Sequence, residues 1–323
     1  MMRYSPLGTT GMHVSRLGFG ASPLGGVYGP VDEAEGIRAV LTAFELGINY
    51  FDVAPAYGGT VAETVLGKAL RRLPRDGYHL STKVGKDTRP GAYGSDTLDY
   101  SRARIRASLD ESSRRLGTEY FDLVHLHDFE YQGRRHVEWA LSEGVAALLE
   151  LKQEGRIGHI GCGIYPMDLW HRIFATQPVD AALVHNHHTL FDTRALELVP
   201  AAKARGIGII NGSPFASGLL SGRDPPEWHP ANEAERGLFR VAAEWCAGRG
   251  VPIAKLALQF SAGHPDLPTT LFSSARSDSV RRSVAWLEEP LDDELLAAVQ
   301  GILAPVRNKQ WDYDARREPS ASS

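Results

Sequence analysis

The sequence predicts an α/β chain folded as one (β/α)8, or TIM, barrel with an N-terminal β-hairpin. Three observations lead there. Apolar β-type runs alternate with amphipathic helical stretches eight times, the pattern of strand–helix units wound around a parallel sheet. The 323 residues fit a single barrel, because barrels of about 250 residues or more commonly form one domain. No Gly-x-Gly-x-x-Gly opens a strand–helix unit; Gly18-Phe19-Gly20 comes nearest but lacks the later glycine and the following helix, which disfavours a doubly wound dinucleotide-binding sheet.

The elements follow in order. Residues 3–14 carry Thr9-Thr10-Gly11 between short β-like runs and are expected to form a hairpin that plugs the barrel bottom. Strands are expected over 15–21, 48–53, 78–83, 121–126, 158–163, 180–185, 207–211 and 269–273, with helices between them such as 32–46, 61–72, 101–116 and 144–154. Asp32 suits the cap of a helix whose Ile37, Val40, Leu41 and Phe44 share one face, and Gly47 suits its left-handed stop. Ser101 and Gly117 bracket Ile105, Leu109 and Leu116 in the same way. No linker divides the chain, so residues 1–312 are assigned to the barrel. The polar tail 313–323 is expected to be disordered.

Composition narrows the partners. A hydrophobic content of 43% with a net charge of -4 implies a large buried core and argues against nucleic acid as a partner. The N-terminus has no basic-then-apolar leader pattern and no apolar run approaches the ~18 residues that span a bilayer, so a cytoplasmic protein with no membrane partner is expected. Cys162 and Cys246 are too few and too far apart for a disulfide framework or a zinc site, and are read as buried or inert thiols. Trp139 and Trp170 are read as exposed apolar residues serving an interface or helix packing, with a monomer or weak homo-oligomer expected.

Four side chains stand at or just past the carboxyl ends of these runs: Asp52, Tyr57, Lys83 and His127. In a parallel barrel those ends converge on one rim. Together they supply what proton-coupled hydride transfer needs. A phenol titrates near ~10 and exchanges protons poorly at neutral pH until a cation favours its phenolate. A lysine provides that cation, an aspartate keeps the lysine charged and in place, and a histidine adds a hydrogen bond at the substrate oxygen. Singly, each residue would more often be a solvated loop side chain; four at successive strand ends carry the reading.

The stretch Asp52-Val53-Ala54-Pro55-Ala56-Tyr57-Gly58 resembles the Asp-x-x-x-x-Tyr-Gly signature of the aldo-keto reductases, and Ser81-Thr82-Lys83 and Leu126-His127 resemble that family's next two catalytic strands. The resemblance implies a catalytic tetrad of Asp52, Tyr57, Lys83 and His127. Non-catalytic stretches, Gly18-Phe19-Gly20-Ala21-Ser22-Pro23-Leu24-Gly25, Pro225-Pro226-Glu227-Trp228-His229-Pro230, Lys255–Gln259 and Ile302–Asn308, are similar to those of the sugar-dehydrogenating branch of the family.

The resemblance also implies a nicotinamide cofactor held by rim loops, with phosphates cradled by backbone N–H groups. Ser213, Phe215, Ser217, Gly218 and Leu219 resemble the pyrophosphate loop, while Ser273, Ala275, Arg276, Ser279 and Ser283 form the second cofactor segment, with Gly20 and Ser22 added from the first strand end. The sequence departs from the family at several points. Ser279 and Ser283 replace a common Gln and Asn, and Arg276, Arg281 and Arg282 are displaced from the 2′-phosphate position; NAD is therefore expected, with NADP open as the alternative. Gly163-Ile164 replaces the Ser-Asn pair that often holds the carboxamide, and Gly212 replaces an aromatic that often stacks on nicotinamide, so His185 or Asn186 is expected to hold the ring. His185, His187 and His188 lack a local carboxylate or Cys to complete a metal set, and no metal is expected.

The resemblance implies NAD(P)-dependent oxidation of a small-molecule sugar, an aldose of the L-galactose or L-fucose type, at C1 to the lactone, with Tyr57 accepting the proton. Tyr28, Tyr57, His127, Trp228 and His229 are expected to form the substrate walls, and the glycine-rich loop 85–100 to close over them. His125 is expected to be packed inside the barrel. The alternatives are an NADPH-dependent aldehyde or ketone reductase, a pyridoxal 4-dehydrogenase and, more remotely, a non-enzymatic nicotinamide-sensing barrel of the channel-subunit kind.

Overall fold

The computed structural model describes residues 2–87 and 97–314. Strands β1 (Tyr4–Pro6) and β2 (His13–Ser15) pair antiparallel. The barrel then runs β3 (Leu17–Gly20), β4 (Tyr50–Asp52) and β5 (His79–Val84). After a small ribbon of β6 (Lys86–Asp87) and β7 (Thr97–Leu98), it continues through β8 (Phe121–His127), β9 (Ile157–Ile164), β10 (Ala181–His185), β11 (Gly208–Gly212) and β12 (Thr269–Ser273). All eight barrel pairings are parallel, and β12 closes on β3.

Each expected strand is present to within two residues at either end, and helices cover Glu33–Glu45, Val61–Leu70, Arg102–Leu116 and Val145–Gln153. Their ends carry the local chemistry read from the sequence: the Asp32 side chain accepts from Ala34 N, Ser101 Oγ accepts from Arg104 N, and Gly47 and Gly117 take φ of 87° and 73°.

The two-residue period of the strands decides what the barrel contains. Inward positions near the bottom are Tyr50, Leu123, Ala181, Leu183, Ile210 and Leu271, and the hairpin inserts Leu7, Met12 and Val14 among them. Leu7 lies so close to β11 that a Cβ on Gly208 would sit 2.5 Å from its Cγ. Outward positions such as Phe19, Phe51, Leu80 and Val124 pack under the helices. On β4, β8 and β10 the inward set changes from apolar to polar toward the top, where Tyr50 gives way to Asp52, Leu123 to His125 and His127, and Leu183 to His185, and on β5 Ser81 is followed by Lys83. The same pleat that fills the bottom thus delivers the functional side chains to the rim.

Some expectations change. Trp170 is fully buried, its indole donating to Ile164 O, so it serves helix packing and not an exposed face. Tyr313 and Asp314, placed in the tail by the sequence, contact the body: Asp314 accepts from Gln132 N and Gly133 N, and Tyr313 packs on Tyr165 and His229. The rest of the tail, 315–323, and residues 88–96 of the glycine-rich loop lie outside the described residues, and so does the expectation of a mobile cover. Both cysteines are free and buried. Among the described residues no helix is long and apolar enough to cross a membrane.

Candidate active site

Asp52, Lys83 and His127 point into the barrel top from β4, β5 and β8, and Tyr57 enters from the turn that follows β4. Lys83 Nζ donates to Asp52 Oδ1 at 2.5 Å and to Val53 O at 2.9 Å. Ser81 Oγ donates to the other carboxylate oxygen, Asp52 Oδ2, at 2.6 Å, and lies 2.8 Å from the Tyr50 hydroxyl. Burial pushes the Tyr50 phenol well above its ordinary range, with the Asp52 charge adding to it, so this residue stays neutral. A buried carboxylate–ammonium pair persists only when its remaining lone pairs and protons are satisfied, and these contacts do so.

The Tyr57 ring stands between the charge pair and the histidine. Lys83 Nζ lies 4.9 Å from its centroid, and the His127 ring lies 6.0 Å away at 89°. Burial, helped by the Lys83 and Lys86 cations and opposed by Asp128, holds His127 well below the usual imidazole range. At neutral pH His127 is therefore a neutral ring. The arrangement offers one exchangeable phenol flanked by a cation and by a neutral donor, the set that can hold and move a proton at an oxygen undergoing oxidation or reduction.

A second polar layer supports His127. Tyr100 OH donates to its carbonyl at 2.6 Å, and its Nε2 lies 3.4 Å from Asp128 Oδ1, whose other oxygen accepts from Lys86 Nζ at 2.7 Å. Asp128 takes a left-handed φ of 53° to reach this position. Nearby Glu130, buried and close to the Asp128 charge, is pushed up to about 8 while accepting from Tyr165 N. Sequence reading did not assign Ser81, Lys86, Asp128 or Glu130. The signal available was the acidic pair Asp128/Glu130 immediately after His127, and Ser81 two residues before Lys83 on the same face.

His125 lies fully inside the barrel against β9, where a Cβ on Gly161 would sit 2.6 Å from its Nδ1, and burial drops its pKa to about 4. Burial lowers His185 and His188 equally, to about 4. His187 stacks on Tyr165 at 4.7 Å and pairs with Asp192 at 3.0 Å, and His188 stacks on Phe260. His185 stacks on the same Tyr165 ring as His187, at 5.4 Å, while His188 turns away from both. Among the described residues no three His, Cys, Asp or Glu side chains gather as a metal set.

The residues assigned to a cofactor form an arc on the same rim. Gly20 and Ser273 are register partners at the ends of β3 and β12, and a Cβ on Gly20 would meet Ser273 Oγ at 2.5 Å. Ser22 opens the 3-10 turn that follows. His185 and Gly212 are also register partners; a Cβ on Gly212 would lie 3.0 Å from His185 Cβ. Asn186 Nδ2 donates to Ser217 Oγ at 3.2 Å, while its buried Oδ1 has no protein partner. Ser213, Ala216, Ser217 and Gly218 are all left-handed, with Phe215 and buried Leu219 between and after them, the backbone class that builds anion-binding concavities. Arg276 and half-buried Ala275 precede the helix Ser277–Trp286, on which Ser279 is partly exposed and Ser283 buried. The orphaned Asn186 oxygen and the left-handed loop fit a dinucleotide.

The expected substrate residues divide. Tyr28 and Trp228 are half-exposed with rings 6.3 Å apart. His229 is not on an open wall: it is fully buried, its Nδ1 accepting from Ala231 N and its Nε2 lying 3.3 Å from the Tyr313 hydroxyl.

A model of the aldo/keto reductase family matches residues 16–304. The chain is 40% identical to L-galactose dehydrogenase of Arabidopsis thaliana, covering 94% of this chain and 95% of the relative. It is 32% identical to D-threo-aldose 1-dehydrogenase of a Pseudomonas species over 77% of this chain and 82% of that one. Among solved structures, the holo form of an aldo-keto reductase from Bacillus halodurans superposes with a TM-score of 0.76 at 30% identity, covering 94% and 96% of the two chains. Fold and family match together define a barrel oxidoreductase of a family that uses nicotinamide cofactors. The chain belongs to the aldo/keto reductase family.

Proposed function

We propose that this chain oxidises an aldose of the L-galactose or L-fucose type at C1 to the lactone, with NAD as the hydride acceptor. The observation that carries the proposal is the Tyr57 ring set between Lys83 and His127 on the rim. The two aldose-dehydrogenase relatives support the substrate class.

In this reading Tyr57 accepts the proton of the anomeric hydroxyl. The Lys83 ammonium stabilises the negative charge on the Tyr57 oxygen, and Asp52 with Val53 O holds that ammonium in place. Neutral His127 donates a hydrogen bond to the reacting oxygen as it gains carbonyl character. The C1–H pair leaves as hydride, the O–H proton passes to Tyr57, and the C1=O double bond of the lactone forms. Bound nicotinamide supplies the hydride-accepting carbon, C4. Ser213, Phe215, Ser217, Gly218 and Leu219 would hold its pyrophosphate, and Ser273 to Ser283 its adenosine half. His185, filling the space beside Gly212, and Asn186 would hold its ring. Tyr28 and Trp228 offer aromatic faces to the sugar.

The test is initial-rate absorbance of the reduced cofactor with NAD or NADP across L-galactose, L-fucose, D-arabinose, L-glucose and pyridoxal. Oxidation of a sugar that vanishes in Tyr57→Phe is the expected result. Oxidation of pyridoxal alone, or reduction of aldehydes with NADPH and no sugar oxidation, would replace this reading with the pyridoxal dehydrogenase or the general reductase.

A further inference from the structure

The helix Ser277–Trp286 begins at the proposed adenosine end of the cofactor groove, and its first N–H groups would ordinarily be available to an anion such as a phosphate. Here two of them, those of Ser277 and Ser279, are already taken by carboxylates of the chain itself. Glu35, reaching across from the helix Glu33–Glu45, accepts from both Ser277 N and Ser277 Oγ at 2.7 Å. Asp278 Oδ1 accepts from Ser279 N at 2.8 Å. These bonds and the neighbouring Arg38 hold Glu35 down at about 2, and Arg276 holds Asp278 below its usual range, so both are anionic at neutral pH.

The cations that might offset them are engaged by the chain. Arg276 bonds both oxygens of Asp278, at 3.0 and 2.9 Å. Arg38 pairs with Glu35 at 2.7 Å. Arg282 donates to Ser279 Oγ at 3.1 Å and lies over the Trp286 ring, and Arg281 faces Glu45 at 3.9 Å and Thr42. A dianionic phosphate arriving at this helix start would have to displace two carboxylates from their N–H donors and then sit beside them. A hydroxyl meets no such opposition and can donate to a carboxylate.

We infer that Glu35 and Asp278 are specificity-determining residues that make the adenosine end of the groove accept a ribose 2′-hydroxyl and reject a 2′-phosphate, and so select NAD over NADP. This rests on the proposed placement of the adenosine half along Ser273 to Ser283.

The experiment is equilibrium binding, read by quenching of intrinsic tryptophan fluorescence, of NAD, NADP, 5′-AMP and 2′-AMP to the full chain and to Glu35→Gln, Asp278→Asn and the double variant. Wild type should bind NAD at least about tenfold more tightly than NADP. Glu35→Gln, which keeps an acceptor oxygen for Ser277, and Asp278→Asn should each shift the NAD-to-NADP affinity ratio toward NADP, and the double variant by about tenfold or more. The shift should shrink as salt is raised. An unchanged ratio in variants that still bind NAD would overturn the inference while leaving the cofactor assignment intact. Wild type binding NADP as tightly as NAD would also overturn it. Failure of wild type to bind either dinucleotide would instead overturn the cofactor assignment beneath it.

Discussion

The two ends of this barrel solve the same geometric problem in different ways. At the bottom, the turns that need left-handed backbone between helix and strand use glycine: Gly47, Gly117, Gly155 and Gly206. At the top, left-handed backbone falls also on Thr60, Asp128, Asn186, Ser213, Ala216 and Ser217, where each side chain costs on the order of 1–3 kcal/mol relative to an unstrained residue. The contents differ in the same sense. The bottom is closed by Leu7, Met12 and Val14 among apolar inward side chains, whereas the top buries Asp52, Lys83, Asp128, Lys86 and the histidines His125, His127 and His188, which burial keeps neutral. The lesson is that stability is concentrated at one end, and strain and buried charge, the expensive features, are confined to the end that meets substrate.

This contrast is open to perturbation at either end. The largest effect is expected for Tyr57→Phe, which should lower kcat by about 10^2- to 10^4-fold while leaving the melting temperature and cofactor affinity unchanged. A comparable loss of cofactor binding would place Tyr57 in a different role. Next, Lys83→Met leaves Asp52 buried without its cation and should cost about 3–5 kcal/mol in urea unfolding, much of which the double variant Asp52→Asn/Lys83→Met should recover. At the other end, Leu7→Ala should destabilise by about 2–5 kcal/mol yet leave kcat and KM within about twofold. A large fall in kcat there would blur the distinction between the two ends.

The pH dependence of stability has a definite sign. His125, His185 and His188 have folded pKa values of about 4, below the value near ~6.5 of a free imidazole, so between those limits the unfolded chain binds more protons. Stability from these groups is complete above pH ~6.5 and is lost as pH falls toward 4. Glu130 acts in the opposite direction: raised to about 8, it binds its proton in the folded state, and its contribution is lost as pH rises from ~4.5 through 8. Thermal unfolding across pH 4 to 9 should therefore show a maximum in the middle of that range with the steeper fall on the acid side. The smallest effect is expected for Ala216→Gly, which should gain about 1 kcal/mol or less by relaxing its φ of 49°, at some loss of cofactor affinity.

The barrel and the gathering of Asp52, Lys83 and His127 on one rim were legible because both follow from periodicity. Inward positions repeat every two residues, and Asp52, Lys83 and His127 fall in phase with Tyr50, Ser81 and Leu123. Features that depend on contacts between distant segments were not legible. Glu35 and Ser277 are 242 residues apart, and nothing in either local sequence announces that they meet. Likewise Tyr313 and Asp314 read as tail by polarity, yet close on His229 and on the Gln132–Gly133 turn. Trp170 was misplaced for the converse reason: its own helix shows one apolar face, and only the carbonyl of Ile164 on β9 explains its burial.

The central claim, that the rim transfers hydride from a sugar C1 while Tyr57 takes the proton, is tested most directly with L-galactose deuterated at C1. Mass spectrometry of the reduced cofactor and the sugar product after a single turnover should find the deuterium on the nicotinamide and a lactone two mass units lighter than unlabelled L-galactose, with neither formed by Tyr57→Phe. Deuterium retained in the sugar, or released to solvent with no labelled cofactor, would contradict it.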